Sequence, residues 1–493
     1  MTIYIDDHHF NYEMEKLVRL FFPNEKIVTT EVCEIQEKIR EVPYVYTALR
    51  QDGSRKTIFV SVQTDTFSES TEKTVDSSIN DEKNTERTMA VALYDLLVKL
   101  TGTKQPWGIL TGVRPIKLFR RISEKHGTEY ARQYFEEKFL VSHEKTALSE
   151  ITEKYEKRIL SLNTPQSFSL YVSIPFCPSR CSYCSFVSQS IERAKNLIQP
   201  YFELLCKEIE HTAKIVQQCA LCLESVYIGG GTPTTLSAEQ LHGLITTIRN
   251  SFDMSTCREF TVEAGRPDTI DQEKLLAIRN GGVDRISINP QTLNDEVLKV
   301  IGRRHTSAQT IDAFHLARSV GFRHINTDLI AGLPTETTES FVATLDRICE
   351  LSPESITVHT LAMKRSSHLT KQGKTVGADG KVPAAEMLRY CEKKLLSCGY
   401  HPYYLYRQTR MEGNLENVGW SKEGYDGIYN VYVMDETHTI LGCGAGAVSK
   451  LKNPGSEELI RIFNYKYPYE YINGFDEMLN RKKQVIDFYA ELS

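Results

Sequence analysis

From Leu170 onward the chain alternates, and that alternation restricts its fold more than any other feature. Short apolar runs recur at Leu170–Phe176, Ser225–Ile228, Glu259–Ala264, Arg285–Asn289, His324–Ile330 and Ser355–Thr360. Amphipathic stretches such as Ala194–Val216, Ala238–Ser251 and Ala308–Val320 lie between them. A short apolar run suits a strand buried on both faces, and a helix-period stretch between two of them suits a crossover. The repetition predicts parallel strands with connecting helices. Six units predict a partial or complete α/β barrel, with ligands at the C-terminal ends of the strands.

The flanks read differently. Residues 1–165 form an expected α+β domain. It holds a strand-like opening, a helix over Tyr12–Phe22, and two strands around Tyr44–Leu49 and Lys56–Gln63 joined at Asp52-Gly53, a hairpin signal. The polar stretch Asp65–Arg87 is expected to be a linker that runs into a helix starting near Thr85. Helices are expected over most of Thr85–Leu160, broken by the Gly- and Pro-containing loop Trp107–Pro115. The barrel is placed at 166–382. Residues 383–493 are expected to form a cap or accessory domain of one strong helix followed by irregular, Tyr-rich sequence.

Net charge is −5, which disfavours nucleic acid as the main partner because phosphate binding asks for a basic excess. No apolar run reaches the roughly 20 residues that span a bilayer, and the N-terminus carries acidic residues where a signal peptide has basic ones. The chain is therefore expected to be cytoplasmic. There its grouped cysteines point to metal or redox chemistry more than to disulfides.

Directly after the first barrel run comes Cys177-Pro-Ser-Arg-Cys181-Ser-Tyr-Cys184, spaced C-x3-C-x2-C. Three thiolates on one tight loop can ligate three irons of a cubane and leave the fourth open. A structural zinc site takes four protein ligands, usually as two pairs, and no second pair is near in sequence. Zinc completed from afar, or a loop whose cysteines ligate nothing, are the competing readings. The other cysteine group, Cys219 and Cys222, is expected to be buried and inert.

This motif resembles the C-x3-C-x-aromatic-C signature of radical S-adenosylmethionine (SAM) enzymes. Tyr171-Val-Ser-Ile-Pro-Phe-Cys177 resembles the oxygen-independent coproporphyrinogen III dehydrogenase branch (HemN-type). The stretches Trp107–Pro115, Glu259–Asp268 and Ile356–Ser366 resemble its HemZ subgroup, so the resemblance covers essentially the whole chain. It implies a radical SAM (β/α)6 barrel with a HemN-type C-terminal domain over its mouth. It also implies a [4Fe–4S] cluster on Cys177, Cys181 and Cys184, and one or two SAM molecules.

By the same resemblance Tyr183 lies beside the adenine, and Gly230, Gly231 and Thr232 of the Gly229–Pro233 turn meet the SAM amino group. Glu263, Tyr171, Gln291, Arg303 and Asp328 contact SAM, with His359 and Val448 as further contacts. Glycines in that turn let backbone approach a ligand, and an acid at a strand's end can accept from ribose hydroxyls. Asp328, within an apolar strand, is costly unless paired or functional. Arg407, in the Tyr-rich Pro402–Gln408 stretch, could clamp a propionate.

The implied activity is oxidative decarboxylation of coproporphyrinogen III to protoporphyrinogen IX, a step of haem biosynthesis. It would be carried out by a monomer and fed by a low-potential donor of flavodoxin or ferredoxin type. Phe186 stands where the dehydrogenases carry another cysteine, and Ser173 where they carry His. In these respects the chain resembles relatives with other roles. The alternatives are a HemW-like haem chaperone and a radical SAM methyltransferase that opens the haem ring.

Overall fold

The computed structural model describes residues 1–32, 42–53, 55–76, 82–184, 186, 188–362, 383–408 and 411–492. Residues 77–81 of the Asp65–Arg87 stretch and 363–366 of the Ile356–Ser366 stretch lie outside these. Contacts divide the chain into two compact units, Met1–Glu150 with Arg407–Leu415, and Ile151–Tyr406 with Glu416–Ser493.

In the first unit, strands β1 (Thr2–Asp6), β2 (Val28–Glu31), β3 (Tyr44–Asp52), β4 (Arg55–Gln63) and β5 (Ser68–Asp76) form one sheet in the order β2-β1-β3-β4-β5. β1 is parallel to both neighbours, and the rest pair antiparallel. Ile58, Val60 and Val62 alternate inward along β4, the period of a half-buried strand. Helices α1 (Asn11–Phe21) and α2 (Glu82–Thr101) cover that face. α1 does so with Met14, Leu17 and Val18, spaced to share one side of a helix. Helices α3 (Pro115–His126), α4 (Thr128–Gln133) and α5 (His143–Leu160) follow.

The expected linker is corrected here. Ser68–Asp76 is the edge strand β5, paired with β4 from Gln63↔Ser68 to Arg55↔Asp76. Its polar sequence SESTEKTVD is what an edge strand needs to avoid pairing with another chain, so it resembles a linker in composition.

In the second unit six parallel strands follow one another in chain order. They are β6 (Ser167–Ile174), β9 (Cys222–Gly230), β10 (Glu259–Gly265), β11 (Arg285–Ile288), β12 (His324–Ala331) and β13 (Ser355–Thr360). A short pair, β7 (Phe176–Cys177) and β8 (Gln189–Ser190), sits between the first two. Helices α6 (Ile191–Gln218), α7 (Ala238–Ser251), α8 (Gln272–Asn280), α9 (Asp295–Val300), α10 (Ser307–Ser319) and α11 (Thr338–Leu351) fill the crossovers. Capping boxes Ser237/Gln240 and Thr306/Gln309 fix where α7 and α10 start. One core runs from Phe168 and Leu170 through Val226, Val262 and Ile286 to the covering helices.

Residues beyond Pro383 are not irregular, contrary to expectation. After the helix Pro383–Ser397, strands β14 (His401–Tyr406) and β15 (Asn417–Ser421) extend the sheet antiparallel from β13. At the other edge β16 (Thr439–Cys443) lies parallel to β6, and β17 (Val448–Lys452) and β18 (Leu459–Phe463) continue beyond it. The tyrosines obscured these strands: Tyr403 and Tyr404 are buried core, with their polar tips bonded or enclosed.

Cys219 is partly buried and Cys222 is exposed, so the expectation that both are buried is corrected. Cys222 opens β9 at the sheet's N-terminal edge, where the first residue of a strand meets solvent. No described helix is long and apolar enough to cross a membrane.

Candidate active site at the strand ends

The cysteine loop leaves β7 and returns against backbone of its neighbours. Ser182 N–H donates to the Ile301 carbonyl at 3.0 Å, and Cys184 N–H to the Cys181 carbonyl at 3.2 Å. The turn after β9 packs beneath it. Gly231 N–H donates to the Ile174 carbonyl and Thr232 N–H to the Phe176 carbonyl, both at 2.7 Å. Thr232 Oγ1 reaches Cys177 Sγ at 3.6 Å. A side chain at 231 would place Cβ 2.5 Å from the Phe176 carbonyl oxygen and 3.0 Å from Cys177 Sγ, so only glycine allows this approach. Gly230 has φ +103°, a second reason for glycine in the turn.

Burial pushes the Cys184 thiol up to about 11, with the Cys181 and Cys177 charges adding to it. Burial also raises Cys177, and Cys181 adds to that. Cys181 thus opposes ionisation of both other thiols, and Cys177 that of Cys184. A cationic iron–sulfur core reverses that preference by binding thiolate. Among the described residues no three His, Cys, Asp or Glu gather tightly enough for a single ion. Thiolates on a cubane bind separate irons, so they stand farther apart than ligands sharing one ion.

The strand ends supply the other side. The β6–β9 register puts Tyr171 opposite Tyr227, and both rings stack with Tyr429 of the helix Ile428–Asp435 at centroid distances of 6.1 and 4.4 Å. Tyr227 OH donates to Glu263 at 2.5 Å. Burial pushes the Glu263 carboxyl up to about 7, opposed by the Tyr227 bond and reinforced by the Asp328 charge.

Asp328 accepts from Asn326 Nδ2 at 2.8 Å and lies 3.9 Å from His359 Nε2. Burial raises this carboxyl, but the nearby His359 imidazole, with Asn326 and Thr357, outweighs it and holds Asp328 below the usual range. It therefore carries its charge. Gln291, at φ +73°, is bridged to β12 through Asp328 and Ile330. Arg303 donates to the Asn289 carbonyl and, at 3.2 Å, to Tyr183 OH, whose ring packs on Val297, Leu298, Ile301, Ile330, Leu333 and Leu361.

Tyr171, Glu263, Gln291, Asp328 and His359 thus join into one network of strand-end residues. Tyr183 and Arg303 pair beside the cysteine loop, and Gly230, Gly231 and Thr232 lie beneath it. Val448 stands apart at the start of β17, against Gly442, the residue in register with Tyr171.

Arg407 is a correction. It is buried in the first unit, donates to the carbonyls of Leu110 and Asn414, and lies over Trp107 at 5.4 Å. It braces the Trp107–Pro115 loop.

Sequence reasoning missed Tyr227, Tyr429, Asn289 and Arg266. Tyr227 looks like core in an apolar strand, and Tyr429 lies far away in sequence. Arg266 and Asn289 each follow a strand end by a single residue, and that position was their only signal.

Residues 171–348 match the Radical SAM superfamily. The chain is 37% identical over 409 residues to the oxygen-independent coproporphyrinogen-III oxidase-like protein HemZ of Bacillus subtilis, covering 82% of each chain. It is 31% identical to the heme chaperone HemW of Lactococcus lactis, over 64% of this chain and 79% of that one. The solved coproporphyrinogen III oxidase HemN of Escherichia coli, a radical SAM enzyme, superimposes with a TM-score of 0.51 at 26% identity. That match covers 65% of this chain and 72% of that one. Radical SAM proteins generally use a [4Fe–4S] cluster and SAM, and the thiol loop, the glycine turn beneath it and the strand-end acids are of the kind such a pair requires. The chain belongs to the radical SAM superfamily, within the HemZ group of oxygen-independent coproporphyrinogen-III oxidase-like proteins.

Proposed function

We propose that this chain is a radical SAM oxidoreductase that oxidatively decarboxylates coproporphyrinogen III to protoporphyrinogen IX. The observation that carries the reading is the closure of the Cys177–Cys184 loop onto Gly231 and Thr232, beside the strand-end acids Glu263 and Asp328. The six parallel strands then form a partial (β/α)6 barrel with its site at the strand ends. Residues 1–165 are an accessory domain, 166–382 the barrel and 383–493 the substrate-covering part.

Cys177, Cys181 and Cys184 would hold three irons and leave the fourth open to SAM. Bound there and reduced, the cluster would supply the electron for reductive cleavage of SAM and so the means to take hydrogen from a propionate β-carbon. The protein's own part is positioning and shielding. Glu263 would accept from ribose hydroxyls, Tyr183 would lie beside the adenine with Arg303 as a further SAM contact, and the half-buried turn at Gly230 and Gly231 would meet the amino group. Asp328 with His359, together with Gln291, would supply further SAM contacts. A low-potential carrier supplies electrons.

A second reading, haem binding in the manner of HemW, is favoured by two residues. Phe186 and Ser173 stand where dehydrogenases carry Cys and His, and the chain is 31% identical to a protein named a heme chaperone. Parallel anaerobic assays separate the readings: reconstituted protein with SAM and reductant is given coproporphyrinogen III in one sample and haem in the other. Protoporphyrin in the products supports the proposal. Stoichiometric haem binding with no porphyrin conversion replaces it with the chaperone. Loss of haem colour with iron release replaces it with a haem-opening enzyme.

A further inference from the structure

Arg266 has no part in the reading above, yet it is the most completely engaged cation beside the cysteine loop. It is 3% exposed and sits one residue past β10. One end of its guanidinium, Nη1, donates to both the carbonyl (3.2 Å) and the hydroxyl (2.7 Å) of Ser179, midway between Cys177 and Cys181. The other edge, Nε and Nη2, makes a bidentate pair with Asp268 at 3.0 and 2.9 Å. Ser179 in turn donates to the Gly302 carbonyl at 3.0 Å, so the loop's midpoint is tied to two neighbouring elements. His305 lies 3.9 Å from Asp268, and burial and the charges of Arg303 and Arg266 push it down to about 3, so it stays neutral. A lysine in place of Arg266 could reach only one of these partners, because the fork is what spans them.

We infer that Arg266, oriented by Asp268, is a positioning residue that pins the cluster loop at Ser179 and sets the cluster's reduction potential through its charge. The inference rests on the proposed [4Fe–4S] site. A fixed positive charge favours the reduced, more negative cluster and so raises its potential; a fixed negative charge lowers it.

The two members of the pair make the idea testable by sign. Arg266→Gln leaves Asp268 unbalanced, so the potential falls. Asp268→Asn leaves Arg266 unbalanced, so it rises. Ser179→Ala removes the hydroxyl's bonds to Arg266 and to the Gly302 carbonyl, leaving only the bond to the backbone carbonyl of residue 179, and changes no charge, so the potential holds while iron is lost to a chelator faster. Roughly tenfold faster loss is expected for Arg266→Gln, the scale on which outer-shell partners set metal affinity.

The experiment is an anaerobic redox titration followed by electron paramagnetic resonance, with iron release to a ferrous chelator timed on the same preparations. Opposite shifts in the two charge variants support the inference. Shifts of the same sign, or none, overturn it and leave Arg266 as scaffold only. Wild-type protein that binds no iron and sulfide would instead sink the cluster reading itself.

Discussion

Cys181 is the most enclosed of the three loop thiols, and its charge raises both of its partners. In the proposed site, replacing it with alanine removes one of the three cluster ligands. Cys181→Ala should abolish the brown cluster absorption and all SAM cleavage, measured by visible spectroscopy and product chromatography.

Glu263 supports a second residue-scale prediction. Burial lifts its carboxyl to about 7, above the ordinary glutamate value of 4.5, so between those values the unliganded folded state holds a proton that the unfolded chain has released. Stability from this group is therefore present at low pH and lost as pH rises from about 4.5 to about 7. Glu263→Gln should flatten that loss and leave the unliganded variant more stable than wild type near pH 8, on the order of 2 kcal/mol, with no gain near pH 4. Denaturant melts at the two pH values check it, and a wild-type advantage at pH 8 would contradict it. The cysteines stood out in the sequence by their spacing, and Glu263 by its place near a strand end together with the family resemblance. Tyr227 was not, because a tyrosine in an apolar strand reads as packing until its hydroxyl is seen on a carboxylate.

At the scale of elements, the six strand–helix units were legible because buried parallel strands are continuous apolar runs and their crossovers keep helical period. β5 was hidden because an edge strand is stabilised by its ladder to β4 and carries polar side chains. β14–β18 were hidden because they are short and complete a sheet begun more than a hundred residues earlier; no local pattern reports that β16 pairs with β6. The turn after β9 gives an element-scale test. Gly231→Ala would set a methyl against the Phe176 carbonyl and Cys177 Sγ, so the loop must shift. The variant should fold, with unchanged far-ultraviolet circular dichroism, yet hold less than half the wild-type iron and sulfide, since a 1 Å misplacement of a site is enough to spoil it. Full cluster content would contradict the close-approach argument.

For the second unit as a whole, a buried ion pair ties its last helices to its first crossover. Glu208 of α6 lies 3.0 Å from Lys482, both almost inaccessible. Glu208 also accepts from Tyr471, Asn464 and Gly444 N–H, and Lys482 donates to the Gly442 carbonyl on β16. Removing one partner strands a charge in the core. Lys482→Met should cost about 3–5 kcal/mol, and adding Glu208→Gln should restore part of it. Chemical denaturation of the three variants measures this, and full additivity would contradict the pairing.

Both the strand-end network and the thiol loop are built within this one unit, and in the proposed function they cleave SAM reductively together. The direct measurement is 5′-deoxyadenosine formed by anaerobically reconstituted protein supplied with SAM and a strong reductant. The account predicts several molecules per protein from the wild type and none from Cys181→Ala. Colourless wild-type protein that carries zinc and forms no 5′-deoxyadenosine would contradict it.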